Sequence, residues 1–349
     1  MTDAYAASGV DTSAADRGVA ALVGVLRTIE TGRSSRAVPL PGHFAAVLEV
    51  APNLGIAVGT DGVGSKLLVA EATGRLDTVG IDCVAMNVND VVCVGAEPIA
   101  LLDYLAVEQA DEEAMRAIAV GLKRGAELAG VEIPGGEVAV LPELIRGHPS
   151  PHGFDLTAAC FGTVALDAIV TGAACAPGDA LVGLPSSGLH SNGYSLARRA
   201  LSGLALDDRP APLGGETIAD AMLEPTVIYV RAALELLRSG LPVHGLAHIT
   251  GGGLLNLTRL SGEVGFEVTD PLAVPPVFDL VRDFGGVADA EMWEVFNMGC
   301  GFCAVVPESA ADEAAALLAA HHPGTRRIGT VTDRAGQVAV PARGVALAS

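Results

Sequence analysis

Lysine is nearly absent from this chain: of 21 basic residues, only Lys66 and Lys123 are lysine. Against them stand 41 acidic residues, for a formal net charge of −20. A surplus of that size repels nucleic acid and anionic membranes, both of which need basic patches, so neither is expected as a partner. The acids are dispersed and form no tail, which points to solubility. Aromatics are scarce at 4%, while apolar residues make up 50%. A core must therefore be built from Ala, Val, Leu and Gly. Long apolar runs are missing too, since Asp, Glu, Gly or Pro breaks each one well short of the ~18 residues of a spanning helix. The start, Met1-Thr2-Asp3-Ala4, has neither the basic region nor the apolar run of an export signal, and a cytoplasmic location is expected. Six Cys (83, 93, 160, 175, 300 and 303) follow no framework spacing and read as reduced thiols. Two phosphate-binding signatures are also absent, the Walker A loop and a strand–Gly-x-Gly-x-x-Gly–helix unit, which disfavours the common nucleotide folds.

What is present is an alternation of strands and helices. A length of 349 residues fits one large or two mid-sized domains. Strands are expected at 55–60, 99–107, around Gly135-Gly136, and at 154–164, 179–184, 243–249 and 301–306. Helices are expected at 78–94, 111–129, 192–201, 224–237, 277–284, 289–296 and 309–320, with another opening after Gly253. Ala174-Cys-Ala-Pro177-Gly178 breaks the pattern, dividing 1–167 from 168–349. The expected class is α/β (α+β) in two domains.

Five segments carry candidate chemistry. Thr60-Asp61-Gly62-Val63-Gly64-Ser65-Lys66 delivers a carboxylate, a glycine turn and one of the two ammonium groups. Asp61 can hold Mg²⁺ and Lys66 can neutralise phosphate, although a surface ion pair would read the same. Asn87-Val88-Asn89-Asp90 puts poor helix formers inside an apolar helix, with Asn87 and Asp90 on one face. A ligand shell or a satisfied buried hydrogen-bond cluster fits equally. Gly135-Gly136-Glu137 adds a third carboxylate, so Asp61, Asp90 and Glu137 could converge on Mg²⁺. Ser186-Ser187-Gly188-Leu189-His190-Ser191-Asn192 reads as a ligand-reading loop, with His190 an acid or base. Thr250-Gly251-Gly252-Gly253, between a strand and a helix, offers N–H groups to an anion without a basic side chain. Cys300-Gly-Phe-Cys303 has no partner pair and reads as a buried strand. His321-His322 reads as a surface helix end.

At Gly59–Leu67, Gly80–Asp90, Gly95–Pro98, Leu102–Tyr104, Ser186–Leu196, Ala247–Gly253 and Phe296–Gly299 the chain resembles the phosphoribosylformylglycinamidine cyclo-ligase (aminoimidazole ribonucleotide synthetase) family. The resemblance runs over about residues 5–330. It implies N-terminal strands that pair across a homodimer into a barrel, and a C-terminal α/β domain. It places ATP and Mg²⁺ by Asp61, Gly62, Gly64, Ser65, Lys66, Asn87, Asp90 and Glu137, with a monovalent cation as a further candidate. It places a ribonucleotide by Ser187, His190, Ser191, Asn192 and Thr250–Gly253. The catalytic candidates are Asp61, Lys66 and His190. The implied reaction closes formylglycinamidine ribonucleotide to aminoimidazole ribonucleotide, with release of ADP and phosphate.

The chain departs from the family pattern in three places, the first being Tyr5-Ala-Ala-Ser8-Gly9-Val10-Asp11, where the family reads Tyr-x-Asp-Ala-Gly-Val-Asp. Gly-Gly-Glu-Thr-Ala-Glu-Met-Pro is here Gly135-Gly-Glu137-Val138-Ala-Val140-Leu141-Pro142, and the glycine-rich N-terminal loop is reduced to Leu40-Pro41-Gly42-His43-Phe44. A catalytically silent nucleotide-binding protein, or another ATP-dependent member of the superfamily, is the alternative. Ser187-Gly188-Leu189-His190-Ser191-Asn192 separates the chain from thiamine-monophosphate kinases, which lack that segment.

Overall fold

The computed structural model describes residues 12–348. The Tyr5–Asp11 part of the resemblance lies outside them. The N-terminal half contains α1 (Thr12–Leu26), β1 (Ala46–Ala51), β2 (Leu54–Gly62), α2 (Leu67–Thr73), α3 (Val79–Cys93), β3 (Glu97–Val107), α4 (Glu112–Ala129), β4 (Glu132–Val140) and β5 (Phe154–Val164). Its sheet runs β1-β2-β5-β3-β4, antiparallel except for the β3–β4 pair, which the α4 crossover makes parallel. β5 shows how the two faces separate. Leu156, Ala158 and Cys160 are buried, while Thr157, Ala159 and Phe161 alternate with them.

The inner face is covered by α3 and α4. These helices touch backbone to backbone, because a Cβ on Gly80 would lie 2.1 Å from the Leu122 amide nitrogen. α4 starts where expected, with Asp111 accepting from the amides of Glu113 and Ala114. Among the described residues the outer face of the sheet is left bare, exposing Leu48, Leu54, Leu102 and Tyr104.

The C-terminal half contains β6 (Ala180–Pro185), α5 (Tyr194–Ala200), α6 (Ile218–Leu223), α7 (Val230–Arg238), β7 (Gly245–His248), a 3₁₀ helix (Gly253–Arg259), β8 (Gly265–Val268), α8 (Pro276–Gly285), α9 (Asp289–Val295), β9 (Cys300–Val306), α10 (Ala311–His321), β10 (Arg326–Thr332), β11 (Gln337–Val340) and β12 (Val345–Ala348). Its sheet runs β12-β11-β8-β10-β6-β9-β7, antiparallel except for β8–β11.

Some sequence expectations are corrected here. The helix expected over 224–237 begins only at Val230. Pro225 disfavours helical backbone at Glu224, whose ψ is 123°, and the chain runs on to α7 without helix. The helix expected after Gly253 is 3₁₀ and seven residues long. Strands β1, β8, β10, β11 and β12 carry no reading at the sequence level. β8, β11 and β12 have only four residues each, and β10 begins with two arginines.

Candidate active site

α3 is the element around which the two halves are joined. Nearly all of it is buried, including Asp82, Asn87 and Asn89. Asp82 and Asn89 are seven residues apart and share a face, which is turned to the C-terminal half. Asp82 Oδ1 accepts from the Thr226 amide at 2.7 Å and from its hydroxyl at 2.6 Å. Asn89 donates to Val227 O and accepts from the Tyr229 amide, both at 2.9 Å. Asn87 points to the sheet. Its Oδ1 accepts the Asp61 amide at 3.0 Å, and its Nδ2 donates to Asp61 O at 3.1 Å and to Cys83 O at 2.8 Å. A carboxamide that reads both backbone groups of one residue fixes the end of β2. Asn87 and Asn89 are thus satisfied hydrogen-bonders, and Asn87 places Asp61.

Asp61 and Asp90 face the same space at the seam between the halves. Burial raises the Asp61 carboxyl above the ordinary aspartate range, and the nearby negative charge of Asp90 raises it further. The Gly62 amide, held at 2.7 Å, works in the opposite direction. Asp90 Oδ1 is 2.8 Å from Nδ1 of the fully buried His248. The other nitrogen of His248 lies 3.4 Å from Asn89 Nδ2, a donor, so Nδ1 carries the proton given to Asp90. His248 was not singled out in the sequence, nor was Asp103. The register aligns Asp61, Ala158, Asp103 and Gly136 in one row across the sheet. Asp103 therefore shares the inner face with Asp61, two strands away. Burial raises its carboxyl as well. Only its place beside Tyr104 in the quoted Leu102–Tyr104 segment could have marked it.

Three expectations are changed by this geometry. Glu137 pairs with Tyr104, one residue past the Asp103–Gly136 pair, so it points to the outer face. It stands three strands from Asp61, roughly 14 Å at ordinary strand spacing, on the opposite side of the sheet. Asp61, Asp90 and Glu137 do not converge within one chain, and no group of three acidic, His or Cys side chains among the described residues is arranged to hold a metal.

Lys66 is completely buried in the seam. It donates to Asp82 Oδ1 at 2.9 Å, His190 O at 3.0 Å and Glu224 O at 2.7 Å, so all three of its protons have protein acceptors. Burial pulls this ammonium below the usual lysine range, and Asp82 pulls it back. His190 is also buried, at a left-handed φ of 61°. Its Nε2 accepts the Ser187 amide at 3.3 Å, and its Nδ1 has no partner. Burial, helped by the charge of Lys66, holds it neutral well below the normal histidine range, so it does not titrate near neutrality.

The rest of the 186–192 loop is engaged in the same way. The Ser187 hydroxyl donates to Pro225 O at 2.6 Å, and Ser191 lies 3.1 Å from the Thr226 hydroxyl. Asn192 meets the glycine segment, since a Cβ on Gly251 would sit 3.2 Å from Asn192 Oδ1. The structure thus brings two expected substrate segments together. Thr250 turns away from solvent, its amide and hydroxyl both directed at Asn256 Oδ1, at 2.7 and 3.2 Å. Gly252 has φ 92°, a left-handed backbone that favours glycine. Ser65 is 3.5 Å from Ser195 at the start of α5, and Gly64, with φ 70°, leaves open space beside it. Cys300 and Cys303 lie on buried β9 with their sulfurs 3.4 Å apart. His321 pairs with Glu235 at 2.6 Å, and His322 rests on the Tyr229 ring.

Known proteins match both halves. Residues 42–164 match the family described as AIR synthase related protein, N-terminal domain, and residues 176–340 match its C-terminal domain. A phosphoribosylformylglycinamidine cyclo-ligase of Methanothermobacter thermautotrophicus is 47% identical over 97% of both chains. One of Thermococcus kodakarensis is 46% identical over 91% of this chain and 92% of its own. Among solved structures, hydrogenase maturation protein HypE in complex with ATP superposes with a TM-score of 0.62 at 22% identity, covering 89% of each chain. T. maritima PurL complexed with FGAR superposes at 0.59 and 19% identity, over 88% of this chain and 46% of the other. At these identities the structures report the fold.

Proposed function

We propose that the chain, which belongs to the phosphoribosylformylglycinamidine cyclo-ligase family and catalyses the ATP-dependent closure of formylglycinamidine ribonucleotide to aminoimidazole ribonucleotide in purine biosynthesis, does so at the seam lined by Asp61, Asp90 and the 187–192 and 250–253 segments. The observation that carries this placement is the Asp61–Asp90 pair at the junction of the halves, where burial and the nearby Asp90 charge raise the cost of ionising Asp61. Such a pair fits a divalent cation. When Mg²⁺ is bound there, it supplies neutralising charge to the ATP phosphates. Asn87 holds the Asp61 backbone and His248 the Asp90 carboxylate, and Asp103 stands on the same sheet face as Asp61. HypE was solved with ATP and PurL with FGAR in the same fold, which supports one nucleotide and one ribonucleotide per site.

The chemistry needs positioning more than acid–base work. A formyl amide is a poor electrophile because oxide would have to leave. Transfer of the γ-phosphoryl group to the amide oxygen makes phosphate the leaving group, and the amidine nitrogen then closes the ring intramolecularly. A neutral, buried His190 and a fully engaged Lys66 accordingly hold the loops, with 1–167 and 168–349 as the two units they bind together.

The active form proposed is a homodimer in the cytoplasm, its subunits meeting through the bare outer face bearing Leu102 and Tyr104. Purified protein given ATP, Mg²⁺ and formylglycinamidine ribonucleotide should release aminoimidazole ribonucleotide and ADP in equal amounts. ATP binding without product would overturn the placement in favour of a silent nucleotide-binding protein.

A further inference from the structure

A cavity of about 520 Å³ lies between the halves, lined by Pro39–His43, Thr171, Ala173 and Thr258–Gly262. Its only strongly basic group is Arg259, at the end of the 3₁₀ helix. In a chain of net charge −20 arginines such as Arg75, Arg238 and Arg326 each find a carboxylate. Arg259 forms no ion pair or hydrogen bond among the described residues. Its guanidinium is held 5.0 Å above the Phe44 ring, which fixes its position and leaves its N–H groups unengaged.

His43 lines the same cavity. Its Nδ1 accepts the Phe44 amide at 3.0 Å, so in the neutral ring the proton sits on Nε2. Nε2 is withdrawn from solvent and has no partner. A buried N–H without an acceptor is costly unless a ligand supplies one. Burial and the Arg259 charge lower the His43 pKa to about 4, so the ring stays neutral and keeps that proton in place near pH 7. Asp61 and Asp90 lie within electrostatic range of Arg259 and His43 respectively, and they place the cavity next to the proposed reaction site.

We infer that Arg259 and His43 Nε2–H form a subsite for a phosphate group of one of the two substrates. It would supply what neither Lys66, whose protons are all engaged, nor Thr250, turned to Asn256, can give. This deepens the reading above and rests on it for the identity of the phosphate-bearing ligands. Arg259 stands about 14 Å along the 3₁₀ helix from Gly252, so the two candidate anion positions can be told apart.

The test is calorimetric titration of the full-length protein with ribose 5-phosphate and, separately, with Mg²⁺–ATP. Arg259→Gln should weaken one of the two ligands by about 10- to 100-fold, the loss expected for hydrogen bonds from a charged group. Arg259→Lys should recover part of that loss. His43→Phe, which keeps the ring and removes the donor, should weaken the same ligand by a smaller factor. A loss confined to ribose 5-phosphate identifies the ribonucleotide as the source, and a loss confined to ATP identifies the nucleotide. Less than a twofold change for both ligands, with thermal unfolding unaltered, overturns the subsite. Should the unaltered protein fail to turn over formylglycinamidine ribonucleotide while ribose 5-phosphate binding still depends on Arg259, the functional reading falls and the subsite stands.

Discussion

Replacing Lys66 by Met separates two roles that the residue could have. The sequence suggests an ammonium for ATP phosphates, whereas the structure gives a bolt between the halves. Met has nearly the same length and apolar stem, so little cavity is created. What disappears is the buried ion pair with Asp82 and the hydrogen bonds to His190 O and Glu224 O. Asp82 keeps its two Thr226 donors, but its Oδ2 is buried without a partner, and the carboxylate is left as an uncompensated charge. Removing one member of a buried pair costs about 3–5 kcal/mol. The two abandoned carbonyls act in the same direction. The urea midpoint of Lys66→Met should therefore fall clearly. The double variant Lys66→Met/Asp82→Asn should regain a substantial part, because the orphaned charge is gone. If Lys66→Met unfolds at the same urea concentration as the unaltered protein and instead loses ATP affinity by two orders of magnitude, the structural assignment of Lys66 is wrong.

Gly80→Ala should disrupt the α3–α4 crossing, since its Cβ would meet backbone at 2.1 Å with no flexible group able to yield; a loss of about 1–3 kcal/mol from overpacking is expected in thermal unfolding. Tyr104→Lys, on the face proposed to join the subunits, should shift the proposed dimer to monomer in sedimentation while leaving each chain folded. The pH dependence follows from His190 and His43, whose folded forms resist protonation, the first well below the normal range and the second until about pH 4. Unfolded histidines take up protons near pH 6.5. Below that pH the unfolded chain binds more protons than the folded one, so stability falls as pH drops from 6.5 towards 4, by up to about 1.4 kcal/mol per pH unit for each such histidine. A flat unfolding midpoint over that range would contradict the buried neutral rings.

The long elements were legible because their periodicity is strong. β5 alternates along its whole length, and the Asp111 cap announces α4. Local pattern carries less information where four residues make a strand, as in β8, β11 and β12. There the pairing partner, far along the chain, decides the conformation. The same limit applies to the site. Sequence picks out Asp61, Lys66, Asp90, Glu137 and His190 as chemically capable, but capability does not say which face of a sheet a residue occupies. Glu137 turns outward because the β3–β4 register pairs Gly136, not Glu137, with Asp103.

Lys66 and His190 illustrate a further point. A rare ammonium and a loop imidazole are as useful for joining two halves as for chemistry, and only burial distinguishes the uses. Both sit at 0–1% exposure, and the lysine protons and one imidazole nitrogen already have protein partners. Asp61 and Asp90 are the opposite case. Their carboxylates lie in range of one another, Asp61 bears the cost of that proximity in its raised pKa, and the residues that fix them, Asn87 and His248, are themselves buried. A rigid frame that holds two like charges together is stabilised by a cation and weakened without one. Asp61→Asn should on this argument relieve the repulsion, raising thermal stability in metal-free buffer while increasing the Mg²⁺ concentration needed for turnover. A variant that loses stability in metal-free buffer, with its Mg²⁺ requirement unchanged, would show that Asp61 serves the fold through its hydrogen bond to the Gly62 amide and holds no metal.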